Sequence, residues 1–80
     1  MKNITILFFG KLKETWNTSQ LKQITQAKTI EELYIELLKL CEEEPHKASI
    51  KVAINDEFVS WDSVISDHDT IAFLPPASGG

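Results

Sequence analysis

A two-layer α+β domain, with one amphipathic helix laid over a mixed sheet, is the fold class the sequence predicts. Three observations predict it. Short β-prone segments lie on both sides of a single helical pattern. Their order is strand, strand, helix, strand, strand, strand. The chain is 80 residues long, which leaves room for one domain.

The elements follow in order. Ile4-Thr5-Ile6-Leu7-Phe8-Phe9 is rich in β-branched and aromatic residues and is closed by Gly10, which predicts a first strand. Ile6 and Phe8 fall on one face, Leu7 and Phe9 on the other. Residues 11–19 read as a loop. Gln20 to Thr25 is a strand by position more than by pattern, since Leu21 and Ile24 do not share a face. Thr29 is a candidate N-cap, with Glu32 completing a capping box. Ile30, Leu33, Tyr34, Leu37, Leu38 and Cys41 then recur at spacings of three and four, one apolar stripe on a helix of about four turns. Glu42-Glu43-Glu44 stands at its C-terminal end and Pro45 stops it. Ser49 to Ile54 is a third strand, with Ile50, Val52 and Ile54 on one face. Asn55-Asp56-Glu57 is a turn, and Phe58-Val59 returns as a short strand. After a loop from Trp61 and a second turn at Ser66-Asp67-His68-Asp69, Thr70 to Leu74 is the last strand. Ile71 and Phe73 share one of its faces, Ala72 and Leu74 the other.

One helix can cover one face of such a sheet. The β-grasp, or ubiquitin-like, fold has this order, with four to five strands under one main helix. A ferredoxin-like fold needs a second helix that the sequence does not offer. The domain is expected over residues 1–74, and residues 75–80 form an extended tail.

Composition narrows the function. The formal net charge is −4, and the 8 basic residues form no dense run, so nucleic acid is a poor ligand. A protein partner is expected to present a basic contact surface to an acidic chain. The single cysteine, Cys41, cannot form an internal disulfide. The run from Ile4 to Phe9 is too short for a signal peptide core or a membrane span, so a cytoplasmic location is expected.

The tail is Pro75-Pro76-Ala77-Ser78-Gly79-Gly80. Neither proline has an amide hydrogen, so the sheet ladder ends there, and the pair stiffens the exit in an extended form. Six extended residues reach about 20 Å. Two readings stand side by side. One is a loose chain end built of small residues. The other is a reactive terminus: glycine can enter a narrow channel without a Cβ clash, leaving the α-carboxylate of Gly80 as the only functional group at the tip. A carboxylate must be activated before it reacts. Adenylation by ATP, then displacement of AMP by a sulfur nucleophile, leaves a C-terminal thiocarboxylate.

Leu7-Phe8-Phe9, Val52-Ala53-Ile54-Asn55, Phe58-Val59 and above all Ala72-Phe73-Leu74-Pro75-Pro76-Ala77-Ser78-Gly79-Gly80 resemble the small, sulfur-carrying subunits of molybdopterin synthases. The resemblance spans nearly the whole chain. It implies that a ubiquitin-activating-enzyme-like adenylyltransferase adenylates Gly80, that a sulfur donor system makes the thiocarboxylate, and that the tail enters the large synthase subunit to deliver sulfur to a cyclic pterin phosphate. It implies a heterotetramer in which this subunit is non-catalytic. Gly79 is then the slim neighbour of the reactive Gly80. Phe9, Phe58 and Leu74 map to a hydrophobic contact patch, continued by Pro75, Pro76, Ala77 and Ser78. Lys13 stands where the family often has Arg, and Asp67-His68-Asp69 where it often has Asp-Gly-Asp. A carrier for thiamine or another sulfur pathway, and a ubiquitin-like modifier joined to lysines, have the same activation chemistry and stay open.

Other residues take structural readings. Cys41 lies on the apolar stripe and is expected in the core. Cys41, His46 and His68 lack metal-ligand spacing. Trp16 and Trp61 are expected to pack at the sheet rim, and Asp67 and Asp69 to form the turn. No phosphate-binding glycine loop is present, so ATP is expected at the activating partner and no cofactor on the chain itself.

Overall fold

The computed structural model describes residues 1–39 and 50–75. Strand β1 (Lys2–Phe8) is followed by a one-turn helix α1 (Leu12–Thr15), strand β2 (Gln20–Thr25) and the main helix α2 (Ile30–Leu38). Strands β3 (Lys51–Ile54), β4 (Glu57–Val59) and β5 (Thr70–Leu74) complete the domain. The five strands form one sheet in the order β2-β1-β5-β3-β4. Its two middle neighbours, β1 and β5, run parallel, and every other pair is antiparallel. This is the mixed sheet with one main helix that the element order predicts.

Alternation along the strands decides which face is covered. Ile4, Ile6 and Phe8 of β1, Ile71 and Phe73 of β5 and Val52 of β3 are buried on one side. They pack in one core with Ile30, Leu33, Tyr34 and Leu37, the inward stripe of α2. In β2, Leu21 lies opposite Ile6 and packs on the core, while Ile24 is 62% exposed. The two residues do face opposite ways.

The helix start is fixed by polar contacts. Thr29 Oγ1 accepts from the amide of Glu32 at 3.2 Å. The Glu32 carboxylate accepts from the amide of Lys28 at 3.1 Å, so the returning half of the box lands one residue before the cap. The amides of Ile30 and Glu31 donate to the carbonyls of Ser63 and Trp61, which pins the loop after β4 against the helix. Thr25, a buried polar residue, donates to Glu36 at 2.7 Å and accepts from the Ala27 amide at 3.0 Å. Cys41, the triple glutamate, Pro45 and His46 lie outside the described residues.

Two expectations change. Residues 11–19 are not all loop: α1 forms because Leu12 and Trp16, four apart, both turn inward. Leu12 is buried, and Trp16 stacks on Phe8 with ring centroids 4.8 Å apart. The Trp16 indole also donates to the Leu37 carbonyl at 3.0 Å. Trp61 packs edge-on against Tyr34 at 5.1 Å. Second, the β3–β4 turn is two residues, not three. Asn55 (φ 49°) and Asp56 (φ 73°) are both left-handed, and Glu57 already pairs with Ile54.

At the same end of the sheet, His68 takes φ 70°, the left-handed position of its turn. The Asp69 carboxylate accepts from the Ser66 amide and from the Asn55 side chain, whose oxygen accepts from the Thr70 amide at 2.9 Å. Asp67 accepts from the Asn3 amide at 2.6 Å, tying the turn to β1. These aspartates are turn formers, as the sequence predicts.

Candidate functional site: the open sheet face and the root of the tail

The helix covers one face of the sheet and leaves the other open. Register places Leu7, Ala72, Ala53 and Phe58 side by side across β1, β5, β3 and β4. This row alternates out of phase with the core, so it lies on the open face. Phe58 is 71% exposed at the edge strand. One step further along β5, Leu74 is half-buried, with Lys51 directly opposite. Phe9 continues β1 past its last paired residue and donates from its amide to Phe73 O at 3.3 Å. Its side chain is 41% exposed. Phe9, Phe58 and Leu74 thus lie on the open side of the sheet, as strand phase predicts for Phe9 and Leu74.

Leu74 leads directly into Pro75, the root of the tail. Pro75 rests on Gly10. A Cβ on Gly10 would sit 2.7 Å from Pro75 Cγ, and Gly10 has φ +57°. The close approach excludes a Cβ there, and the left-handed φ adds to the preference for glycine. The sequence reading took Gly10 as a strand terminator only and missed its contact with the tail root. The one signal was the glycine itself, since its neighbour is 65 positions away in the chain. A hollow of about 890 Å³ opens beside the root, lined in part by Lys51, Phe58, Trp61, Leu74 and Pro75. Lys13 is exposed on α1, just after the Phe9–Gly10 corner. Pro76, Ala77, Ser78, Gly79 and Gly80 lie outside the described residues.

Among the described residues one titratable group is shifted. The Asn3 amide holds the Asp67 carboxyl below its ordinary value; desolvation offsets this in part, and the adjacent His68, 3.3 Å away, adds to the lowering when charged. This lies at the turn end of the sheet, away from the tail.

A five-stranded mixed sheet under one main helix is the ubiquitin-like arrangement, and comparison with known proteins narrows it. Residues 6–80 match the model of the ThiS family, and the chain belongs to that family. It is 28% identical over 80 residues to the molybdopterin synthase sulfur carrier subunit of Escherichia coli K12, covering 96% of this chain and 99% of that one. The fold is that of the small archaeal modifier protein 1 of Methanosarcina acetivorans, with a TM-score of 0.79 at 22% identity over 100% of this chain and 98% of that one. It is also that of a chain in the complex of subunits 1 and 2 of the Helicobacter pylori molybdopterin-converting factor, with a TM-score of 0.67 at 23% identity over 98% and 99%. The β-grasp architecture expected from the sequence is therefore the observed one. No helix among the described residues is long and apolar enough to cross a membrane.

Proposed function

We propose that the chain is the sulfur carrier of a molybdopterin synthase and that Gly80 is its reactive residue. The observation that carries this reading is the family match, which runs unbroken through the Pro-Pro-Ala-Ser-Gly-Gly end. The likeness to the Escherichia coli carrier over almost the full length of both chains supports the molybdopterin route.

The chemistry falls on one carboxylate. A ubiquitin-activating-enzyme-like adenylyltransferase joins the Gly80 carboxylate to AMP, and pyrophosphate leaves. A sulfur nucleophile from a donor system attacks the acyl carbon, AMP departs with the oxygen, and a thiocarboxylate remains. Its sulfur bonds to a side-chain carbon of the pterin precursor in the large synthase subunit as that carbon's bond to oxygen breaks, and two carriers supply the two sulfurs of the dithiolene. Water then cleaves the acyl–sulfur bond, leaving sulfur on the pterin and a carboxylate on the carrier. ATP is consumed at the activating partner, and this subunit supplies no catalytic side chain. Gly79 and Gly80 keep the tip slim enough for both active sites. Phe9, Phe58 and Leu74 form the contact patch, and Pro75 to Ser78 span the distance to the large subunit. Lys13 stands ready for a carboxylate of a partner. The assembly is a heterotetramer of two small and two large subunits in the cytoplasm.

Reconstitution with the adenylyltransferase, a sulfur source, the large subunit and the pterin precursor tests this. Removing Gly80 is expected to abolish dithiolene formation while the circular dichroism spectrum stays that of the intact chain. Product formed by the trimmed chain would sink the reading. A protein modifier is the second reading, supported by the fold match to the archaeal modifier. It requires Gly80 in isopeptide linkage to lysines of other proteins.

A further inference from the structure

The chain is acidic as a whole, but its open face is not. Among the described residues no Asp or Glu stands at any register position of that face, and two lysines do. Lys51 is directly opposite Leu74, beside the root of the tail. Lys22 is directly opposite Thr5 on the far side of β1. They lie diagonally across the apolar row, one step beyond it at the tail end and one step before it at the turn end. Strand spacing and rise put them about 20 Å apart. Both are exposed, and neither has an ion-pair partner among the described residues.

The described acids of the helix and turns are not on this face. Glu31, Glu32 and Glu36 are on α2, behind the sheet. Asp56, Asp67 and Asp69 are in the turns at the end away from Pro75, the end at which Lys22 stands. Lys51, at the tail end, is therefore the lysine clear of those turn acids.

We propose that the open face is a locally cationic docking surface, and that the protein surface it takes is apolar at its centre with carboxylates placed to meet Lys51 and Lys22. A basic contact surface, the expectation from net charge alone, would set like charges against each other there. Leu7, Ala72 and Phe58 supply the apolar centre, with Ala53 buried between Ala72 and Phe58, and the lysine stems extend it while their ammonium groups stay wet. The proposal rests on the carrier reading, with the large synthase subunit as the partner.

Binding of the full chain to the purified large subunit, measured by calorimetry at about 0.05 M and 0.5 M NaCl, tests it. Lys51→Glu is expected to weaken binding about three- to tenfold at low salt, with Lys22→Glu smaller and the pair together larger. High salt should weaken wild-type binding and shrink the difference. Thermal unfolding of the variants checks that the exposed substitutions leave the fold alone. Phe58→Asp separates the two claims. If it weakens binding while both lysine reversals leave it unchanged or tighter, the charge proposal is overturned and the carrier reading stands. If Phe58→Asp has no effect, the open face is not the interface and the proposal is overturned with it. Failure of the wild-type chain to bind the large subunit at all would remove the carrier reading itself.

Discussion

The two faces of β5 differ by one residue step and have opposite fates. Ile71 and Phe73 point under α2 and are wholly buried. Ala72 and Leu74 point to the open side and are only half covered. The first pair joins a core that includes Phe8, Tyr34 and the edges of both tryptophans: Phe73 lies 6.1 Å from Phe8, 5.7 Å from Tyr34 and 5.9 Å from Trp61 between ring centroids. The second pair lines the sheet face that α2 does not cover. The same strand thus supplies stability on one side and, on the carrier reading, recognition on the other. It then passes straight into the tail. What holds the tail root in place is the core one residue away.

Substitutions on the two faces should therefore separate. The largest effect is expected at Phe73→Ala, a loss of about 3–5 kcal/mol by denaturant titration, which is a large share of the roughly 5–15 kcal/mol that stabilises a domain. Phe58→Ala, on the exposed side, should change stability by no more than about 0.5 kcal/mol yet weaken large-subunit binding. Equal destabilisation by the two would break the distinction between faces.

Gly10→Val comes next. A β-branched residue at a left-handed φ, with Pro75 in the way, should cost about 1–3 kcal/mol. The chemical shifts of Leu74 and Pro75 should move while those of β2 stay in place. Unchanged shifts at Pro75 would mean that Gly10 does not seat the tail root.

The smallest effect is expected at Asp67. Its carboxyl titrates lower in the folded chain than in the unfolded one, so the stability it contributes is present above the ordinary carboxylate range near 4. That stability is lost as pH falls through the lowered value. Asp67→Asn should flatten this acid limb when unfolding is measured against pH. An unchanged limb would mean that the Asn3 contact does not hold the carboxyl low.

How much of this the sequence holds depends on the range of each interaction. The bounds of β5 and the cap at Thr29 follow from local pattern and those of β2 from its place in the element order, and they stand as read. The turn at His68 keeps its left-handed residue without glycine because Asp67 and Asp69 bond the backbone around it. Helix α1 was missed because it is a single turn whose reason to exist is Trp16 reaching Phe8 and the Leu37 carbonyl, a contact no local pattern records. At the site, strand phase placed Phe9 and Leu74 on the open face, but the row from Leu7 to Phe58 depends on register among four strands. Net charge does not report the charge of that face, because it averages over surfaces that never meet the same partner. Gly10 needed Pro75 beside it before its role could be seen.

Intact-protein mass spectrometry of the carrier, taken from cells with the whole pathway present, tests the central claim most directly. The account predicts a fraction of the chain heavier by the replacement of one oxygen with sulfur. Fragmentation should place the gain at Gly80, and cells lacking the adenylyltransferase should not show it. A terminus that stays an ordinary carboxylate in the intact pathway would contradict it.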